Sequence, residues 1–297
     1  MSDGRVSGGR VSGGRVSGGR VSGGRVSGGR VSDGREASDG AASAGRGATD
    51  RREATLRRLG IVPGVAELVR VALDDAVGRA EAARAAEGAA PPAVVVLDAG
   101  CGRNSALARH RPRIGRFVGV DIHAPAPGAL SYLDEFATVD LCAPSDAFPP
   151  ATFDVVLSSF TVEHFADPDA AFVNLARWLR PGGSLVLTTV NRRHPFVAAY
   201  LAMPDGLRRR VQPVVKATAA DAHPLVGACN EPVALREALA AAGYEKISVE
   251  TIGHLARAWR RRLPTFALGL VGDLLARGIP SRRSTLVVTA RAPEPAA

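Results

Sequence analysis

The nine residues Val94–Gly102, VVVLDAGCG, constrain the fold more than any other stretch of the chain. An apolar run ending in Asp-x-Gly-x-Gly reads as a buried parallel strand running into a tight turn. A Cβ in that turn would block both a positive φ and the approach of a ligand to the backbone. A second apolar run, RFVGVD, ends in Asp121, nineteen residues after Gly102. An acidic residue at that spacing stands where it can take the two hydroxyls of a ribose. Together the two runs predict a Rossmann-like site for an adenosine-containing ligand.

The kind of ligand follows by elimination. A dinucleotide fingerprint needs glycine at the sixth position counted from Gly100, and that position is Ser105. A P-loop needs Gly-Lys-Ser/Thr, but Lys216 and Lys246 follow Val215 and Glu245. A Tyr-x-x-x-Lys pair fails too, because Gln212 and Ala242 stand four residues before the lysines. An adenosyl ligand without a pyrophosphate remains, and S-adenosylmethionine meets that description.

Downstream segments continue the alternation of strands and helices. Phe136–Val139 reads as a third strand and leads into Asp140-Leu141, where a carboxylate can accept from an adenine amino group. Phe153–Ser158 reads as a buried strand, followed by a loop and a helix from Pro168 with Asp167 as its N-cap. A Pro-Gly-Gly turn at Pro181–Gly183 then precedes a buried strand over Ser184–Val190.

The motifs LDAGCG, VGVD, VDL, FDVVLSSFTVEH and LRPGG, in this order and with these gaps, resemble class I S-adenosylmethionine-dependent methyltransferases of the methyltransferase-domain-11 type. The resemblance is strong over Val94–Val190 and looser to about Arg291. It implies an α/β fold, Rossmann-like and doubly wound, with a mostly parallel seven-stranded sheet and helices on both faces. It also implies that Asp98, Gly100, Cys101, Gly102 and Asn104 shape the methionine end of the cofactor pocket. By the same resemblance Asp121 holds the ribose, Ile122 lies against the adenine, Asp140 and Leu141 flank the adenine edge, and Ser158 and Ser159 close over the sulfonium. Asn104 stands where the family usually has glycine, and asparagine is the side chain that best tolerates a left-handed backbone. The implied activity is methyl transfer to oxygen or nitrogen of a small-molecule, glycan or lipid-linked acceptor. The alternative is a non-catalytic S-adenosylmethionine-binding fold acting as a partner or scaffold.

His164, after Glu163, is the candidate general base, since the loop after the fourth strand borders the sulfonium in this fold. Ubiquinone-pathway O-methyltransferases resemble this loop as E-x-x-E-H and hold a metal there. Phe160 occupies the first Glu position here, so no metal is expected. Specific nucleic-acid acceptors are disfavoured. Ser158-Ser159-Phe160-Thr161 replaces the Asn/Asp-Pro-Pro-Tyr/Phe of base-amino methyltransferases, and no cysteine follows a proline as a cytosine-C5 nucleophile would.

Three regions surround this core. Residues 1–52 carry an Arg-Val-Ser-Gly-Gly repeat with ten arginines against five acids, part of a net charge of +9. One valine per repeat buries too little to offset chain entropy, so the tail is expected to be disordered, with at most a weak contact to an anionic polymer or membrane surface. Residues 53–92 read as N-terminal helices and a linker, the linker beginning at Ala82. Residues 93–292 form the methyltransferase domain, with acceptor-side insertions near 191–231 and 254–283. The insertions hold Arg208–Arg210 and Arg260–Arg262 among apolar residues, which points to an anionic or amphiphilic acceptor. Three cysteines without framework spacing and no apolar run of 18 residues lead to the expectation of a cytoplasmic protein without a transmembrane segment. Oligomeric state is not encoded in any of these signals.

Overall fold

A computed structural model describes Gly47 and residues 49–61, 64–124, 130–215 and 225–294, with no side chains described over 212–215. The repeat expected to be disordered lies outside the described residues. The expected boundary at residue 52 shifts, because helix α1 already runs over 49–58. The second helix, α2 (Val65–Ala86), extends past Ala82 into the segment read as linker.

Seven strands build one sheet: β1 (Val94–Ala99), β2 (Ile114–Asp121), β3 (Glu135–Thr138), β4 (Phe153–Ser159), β5 (Leu179–Val190), β6 (Glu245–Ile252) and β7 (Thr285–Arg291). Their spatial order is β3-β2-β1-β4-β5-β7-β6, and β7 runs opposite to the other six. The doubly wound fold expected from the motifs is therefore present. Order reverses between β1 and β4, and the carboxyl ends at such a switch point form the crevice where ligands bind in open α/β sheets.

Both faces of the sheet are covered at its centre, which is why β1, β4 and the second half of β5 read as buried apolar runs, while the edge strands β3 and β6 are mixed. On one face Val69, Leu73 and Val77 of α2 pack on Val94, Val96, Val155 and Val186. On the other, Phe172, Leu175 and Trp178 of α3 (Pro168–Trp178) and Leu235 and Leu239 of α6 (Pro232–Ala241) pack on Leu97, Val156, Leu185 and Leu187. Successive side chains of a strand point to opposite faces, so adjacent valines and leucines divide between the two cores.

One local expectation differs from the structure, and three further segments form helices. The Pro-Gly-Gly segment is a bulge inside β5: Phe153 pairs with Leu179 and Val155 with Ser184, with Gly182 at φ +69°. Between β1 and β2 the chain makes a 3-10 helix, Ala106–Arg113, with Pro112 in its last turn. The first insertion carries two helices, α4 (Pro195–Ala202) and α5 (Asp205–Val215). The second insertion folds as α7 (Leu255–Ala258) and α8 (Leu263–Ala276). The two insertions pack together, since a Cβ on Gly272 of α8 would lie 2.9 Å from the Phe196 ring of α4.

Helix α3 also anchors the segment after β3. Asp167 caps the helix by accepting from the Ala170 amide at 3.0 Å. Further along the helix, buried Asn174 donates through Nδ2 to the carbonyls of Leu141 (3.0 Å) and Ala143 (2.8 Å). Asn174→Ala leaves these carbonyls without their donor and is expected to lower stability by about 1–2 kcal/mol, read from the midpoint of urea unfolding. An unchanged midpoint would show that the Asp140 segment does not depend on α3.

Candidate active site

The turn after β1 contains the backbone geometry that glycine permits. Gly100 (φ +78°) and Gly102 (φ +52°) are left-handed, and the Gly100 and Cys101 amides donate to the Val120 carbonyl at 2.8 and 3.0 Å. A Cβ on Gly100 would overlap the Thr161 side chain, so this glycine also permits a close approach by the loop after β4. Asn104 is exposed and outside the left-handed region, so its side chain replaces a glycine at a position that does not require one.

Asp121 closes the turn from the end of β2. Its carboxylate accepts from the Gly102 amide at 3.0 Å and the His123 amide at 3.2 Å. Ile122 follows with half of its surface exposed, an apolar side chain beside the crevice. Asp140 is exposed and accepts from the Cys142 amide at 2.9 Å, while Leu141 is buried. Asp98 is buried with Oδ2 lacking a partner, and Ser158 Oγ is buried in the same condition. Burial pushes the Asp98 carboxyl up to about 7, opposed by its bond to Ser105 and assisted by the Asp121 charge. Ser159 is paired with Thr188 at 3.2 Å between hydroxyls. The expected cofactor residues thus converge on the carboxyl ends of β1, β2 and β4, along with the segment following β3. Left-handed glycines, a carboxylate at the end of β2 and two orphaned buried oxygens fit a nucleoside that carries an amino-acid arm.

The loop after β4 has two sides. Thr161 faces Gly100, whereas Phe160 and Glu163 line a cavity of 570 Å³. Phe160 is held at φ +54°, an uncommon conformation for a bulky side chain, with its amide donating to the Thr188 carbonyl at 2.8 Å. Strain of this kind concentrates at functional sites. The remaining walls come from both insertions, including Phe196, Tyr200, Met203, Trp259 and Leu268. None of Arg208–Arg210 or Arg260–Arg262 lines it. Arg208 instead donates to the carbonyls of Leu201 and Met203, and Arg260 to that of Arg257.

His164 sits in a short 3-10 turn, Val162–His164, and does not line this cavity, although its neighbour Glu163 does. Glu163 is buried and accepts from the Thr189 hydroxyl at 2.8 Å. The histidine that does line the cavity is His254, which has no ligand spacing or motif to single it out in the sequence. Its ring stacks on Phe160 with centroids 6.2 Å apart and 25° between planes, and Nδ1 is buried without a partner. Its amide donates to Ser284 Oγ at 2.8 Å, and Ser284 donates to the buried Asp273 carboxylate at 3.1 Å. Burial, reinforced by Arg257 and Arg260, pushes the imidazole down to about 4, so it is neutral at pH 7. No local signal could reveal this residue, because it meets Phe160 only through the folded sheet.

Comparison with known proteins accords with the geometry. Nocamycin O-methyltransferase of Saccharothrix syringae is 33% identical over 181 residues, 52% of this chain and 61% of that protein. A ubiquinone biosynthesis O-methyltransferase of Cereibacter sphaeroides is 34% identical over 108 residues, 33% of this chain and 41% of its own length. The chain therefore spans less than two thirds of these curated relatives. Among solved structures, geranyl diphosphate C-methyltransferase of Streptomyces coelicolor A3(2) is 17% identical with a TM-score of 0.46, covering 72% of this chain and 75% of the other. The [4+2]-cyclase SpnF is 21% identical with a TM-score of 0.41, covering 68% and 75%. A family model described as a methyltransferase domain matches residues 66–249, without extending to the type-11 subdivision expected from the motifs. With more than half of its length matched, the chain belongs to the methyltransferase-domain family, among the class I S-adenosylmethionine-dependent methyltransferases that its ordered motifs resemble.

Proposed function

We propose that the protein methylates a hydroxyl or enol oxygen of an apolar small molecule, using S-adenosylmethionine as donor. The observation that carries this reading is the loop after β4, which touches Gly100 on one side and walls the apolar cavity on the other. Two O-methyltransferases among the relatives support oxygen as the acceptor atom. The apolar lining supports a neutral acceptor over the anionic one that the arginine clusters led us to expect.

S-adenosylmethionine supplies a methyl carbon already activated by a positive sulfur, so the chain's task is mainly to position the acceptor and exclude water. Asp121 would hold the ribose hydroxyls, and Asp98 would stand near the cationic amino-acid end. The walls from α4, α5, α7 and α8 would surround the acceptor's apolar body. His254, in place of the expected His164, would accept the acceptor's O–H through its imidazole and take its proton as the oxygen–methyl bond forms and the sulfur–methyl bond breaks. A ring held near 4 is neutral but a weak base, so its part is to orient the O–H and to hold the proton only until water takes it. Phe160 and the Ser284 hydrogen bond fix the ring's position.

Three expectations follow from these assignments. Asp121→Ala removes the ribose acceptor and should weaken S-adenosylhomocysteine binding at least about tenfold in a calorimetric titration, with the fold retained by circular dichroism. Equal affinity would remove Asp121 from the site. Because free Asp98 titrates near 7, a ligand ammonium must meet it ionised. Affinity should therefore fall by about tenfold from pH 8 to pH 6, and Asp98→Asn should flatten that slope. A wild-type slope of zero would contradict the placement. Finally, His254→Asn should reduce methyl transfer to an apolar phenol that the wild type accepts by about 100-fold, leaving S-adenosylhomocysteine affinity intact. Full turnover in this variant would leave His254 a packing residue, while S-adenosylhomocysteine binding with no turnover on any phenol or enol by wild type would favour the non-catalytic alternative.

A further inference from the structure

Helix α8 presents the wrong face to water. Leu263, Leu268, Val271, Leu274 and Leu275, with Ile279 just beyond, are each at least 40% exposed. At 100° per residue these positions occupy one side of the helix, opposite the buried Phe266, Gly269, Gly272, Asp273 and Ala276. The outward side of a surface helix is ordinarily charged, yet the only charged residue of α8 is Asp273. That carboxylate faces inward, accepting from the Ala256 amide at 2.8 Å and the Ser284 hydroxyl at 3.1 Å. Scattered exposed leucines are normal, but a contiguous apolar face on one helix marks a surface that something else covers.

The charges around this face narrow down what covers it. Arg261 and Arg262, both exposed, immediately precede α8 and exposed Arg282 follows it, while Arg260, Arg277 and Arg283 beside them donate to backbone carbonyls. Asp273 is the only acidic residue between Leu255 and Arg283, and it is buried. An apolar helix face with cationic ends suits a bilayer interface, where leucines enter the acyl boundary and guanidinium groups meet anionic headgroups. A second copy of the chain suits it poorly. Two such helices packed antiparallel about a two-fold axis would bring the arginines preceding one against those following the other. The helix is fourteen residues long, and no helix among the described residues is long and apolar enough to cross a membrane, so the contact is along the surface. The face is also continuous with the cavity: Leu268 lies half-exposed on α8 and lines the cavity, as do Ala258 and Trp259 just before the first arginine cluster.

We infer that α8 is a docking surface for anionic lipid bilayers and seats the cavity mouth at the membrane. The inference rests on the helix face and its charges, independently of the methyl-transfer reading. The test uses the full chain in flotation assays at low salt, with vesicles of phosphatidylcholine alone and of phosphatidylcholine with one third phosphatidylglycerol. Wild type should float with the anionic vesicles and not with the neutral ones. Val271→Asp with Leu275→Asp, both exposed, should lower the bound fraction at least about tenfold while melting temperature and S-adenosylhomocysteine affinity stay at wild-type values. A second variant, Arg261→Glu with Arg262→Glu, leaves the apolar face intact and should also lower binding several-fold. Failure of wild type to float would overturn the inference, and so would wild-type binding by both variants, which would assign the lipid contact to the arginine-rich repeat. A dimer in light scattering that Val271→Asp/Leu275→Asp dissolves, without any lipid binding, would identify a second copy as the occupant. None of these readouts depends on turnover, so their failure is distinct from failure of the proposed reaction.

Discussion

Thr161 lies so close to Gly100 that any side chain at position 100 would overlap it, and the rest of the site is arranged around this contact. Two neighbouring parallel strands, β1 and β4, end beside each other at the switch point of the sheet. The turn after β1 is left-handed at Gly100 and Gly102, so its amides meet Val120 and Asp121 on β2. The loop after β4 can then lie across that turn. One face of the loop borders the nucleoside side of the crevice, and Phe160 and Glu163 border the cavity. Methyl transfer needs two substrates within bonding distance, and a single short loop shared by both compartments supplies that proximity.

The cavity side depends on a second buried constraint, the Asp273 carboxylate. It accepts from the Leu255 and Ala256 amides at 3.3 and 2.8 Å and from Ser284, tying the start of α7 to α8 and to the residue before β7. Burial raises its pKa, and the three donors, with His194 nearby, work in the opposite direction. His254, immediately before α7, inherits its position from this network. Helix α1 buttresses the same corner from outside: Leu56 packs with Ala256 and Phe266, and Glu53 pairs with Arg257 at 2.6 Å. That ion pair, more than any acceptor contact, accounts for Arg257, and it holds the Glu53 carboxyl below its ordinary range.

What the sequence makes legible is what local chemistry dictates. Apolar runs ending in Asp98 and Asp121, the glycines after β1 and the Asp167-Pro168 helix start are each decided within a few residues, and each stands where expected. The Pro181–Gly183 bulge reads as a turn because proline and glycines punctuate both, and only the pairing with β4 distinguishes them. Helix α4 is hidden because its eight residues are apolar on every side, and α5 because three successive arginines interrupt its apolar residues. His254 is invisible for a deeper reason: its partner Phe160 is 94 positions earlier, and their stacking exists only once β6, β7 and α7 are in place. The arginine clusters mislead in the opposite direction. In sequence they resemble an anion site at the acceptor pocket, while in space none of them lines the cavity, and Arg208 and Arg260 hold backbone carbonyls of their own insertions.

The most direct test is a crystal structure of the protein with S-adenosylhomocysteine. The nucleoside should lie across Gly100 and Gly102 with both ribose hydroxyls on Asp121, and its sulfur should point past Thr161 into the cavity toward His254. A sulfur directed away from that cavity, or a Phe160–Glu163 loop that seals the two compartments from each other, would contradict the shared-loop arrangement.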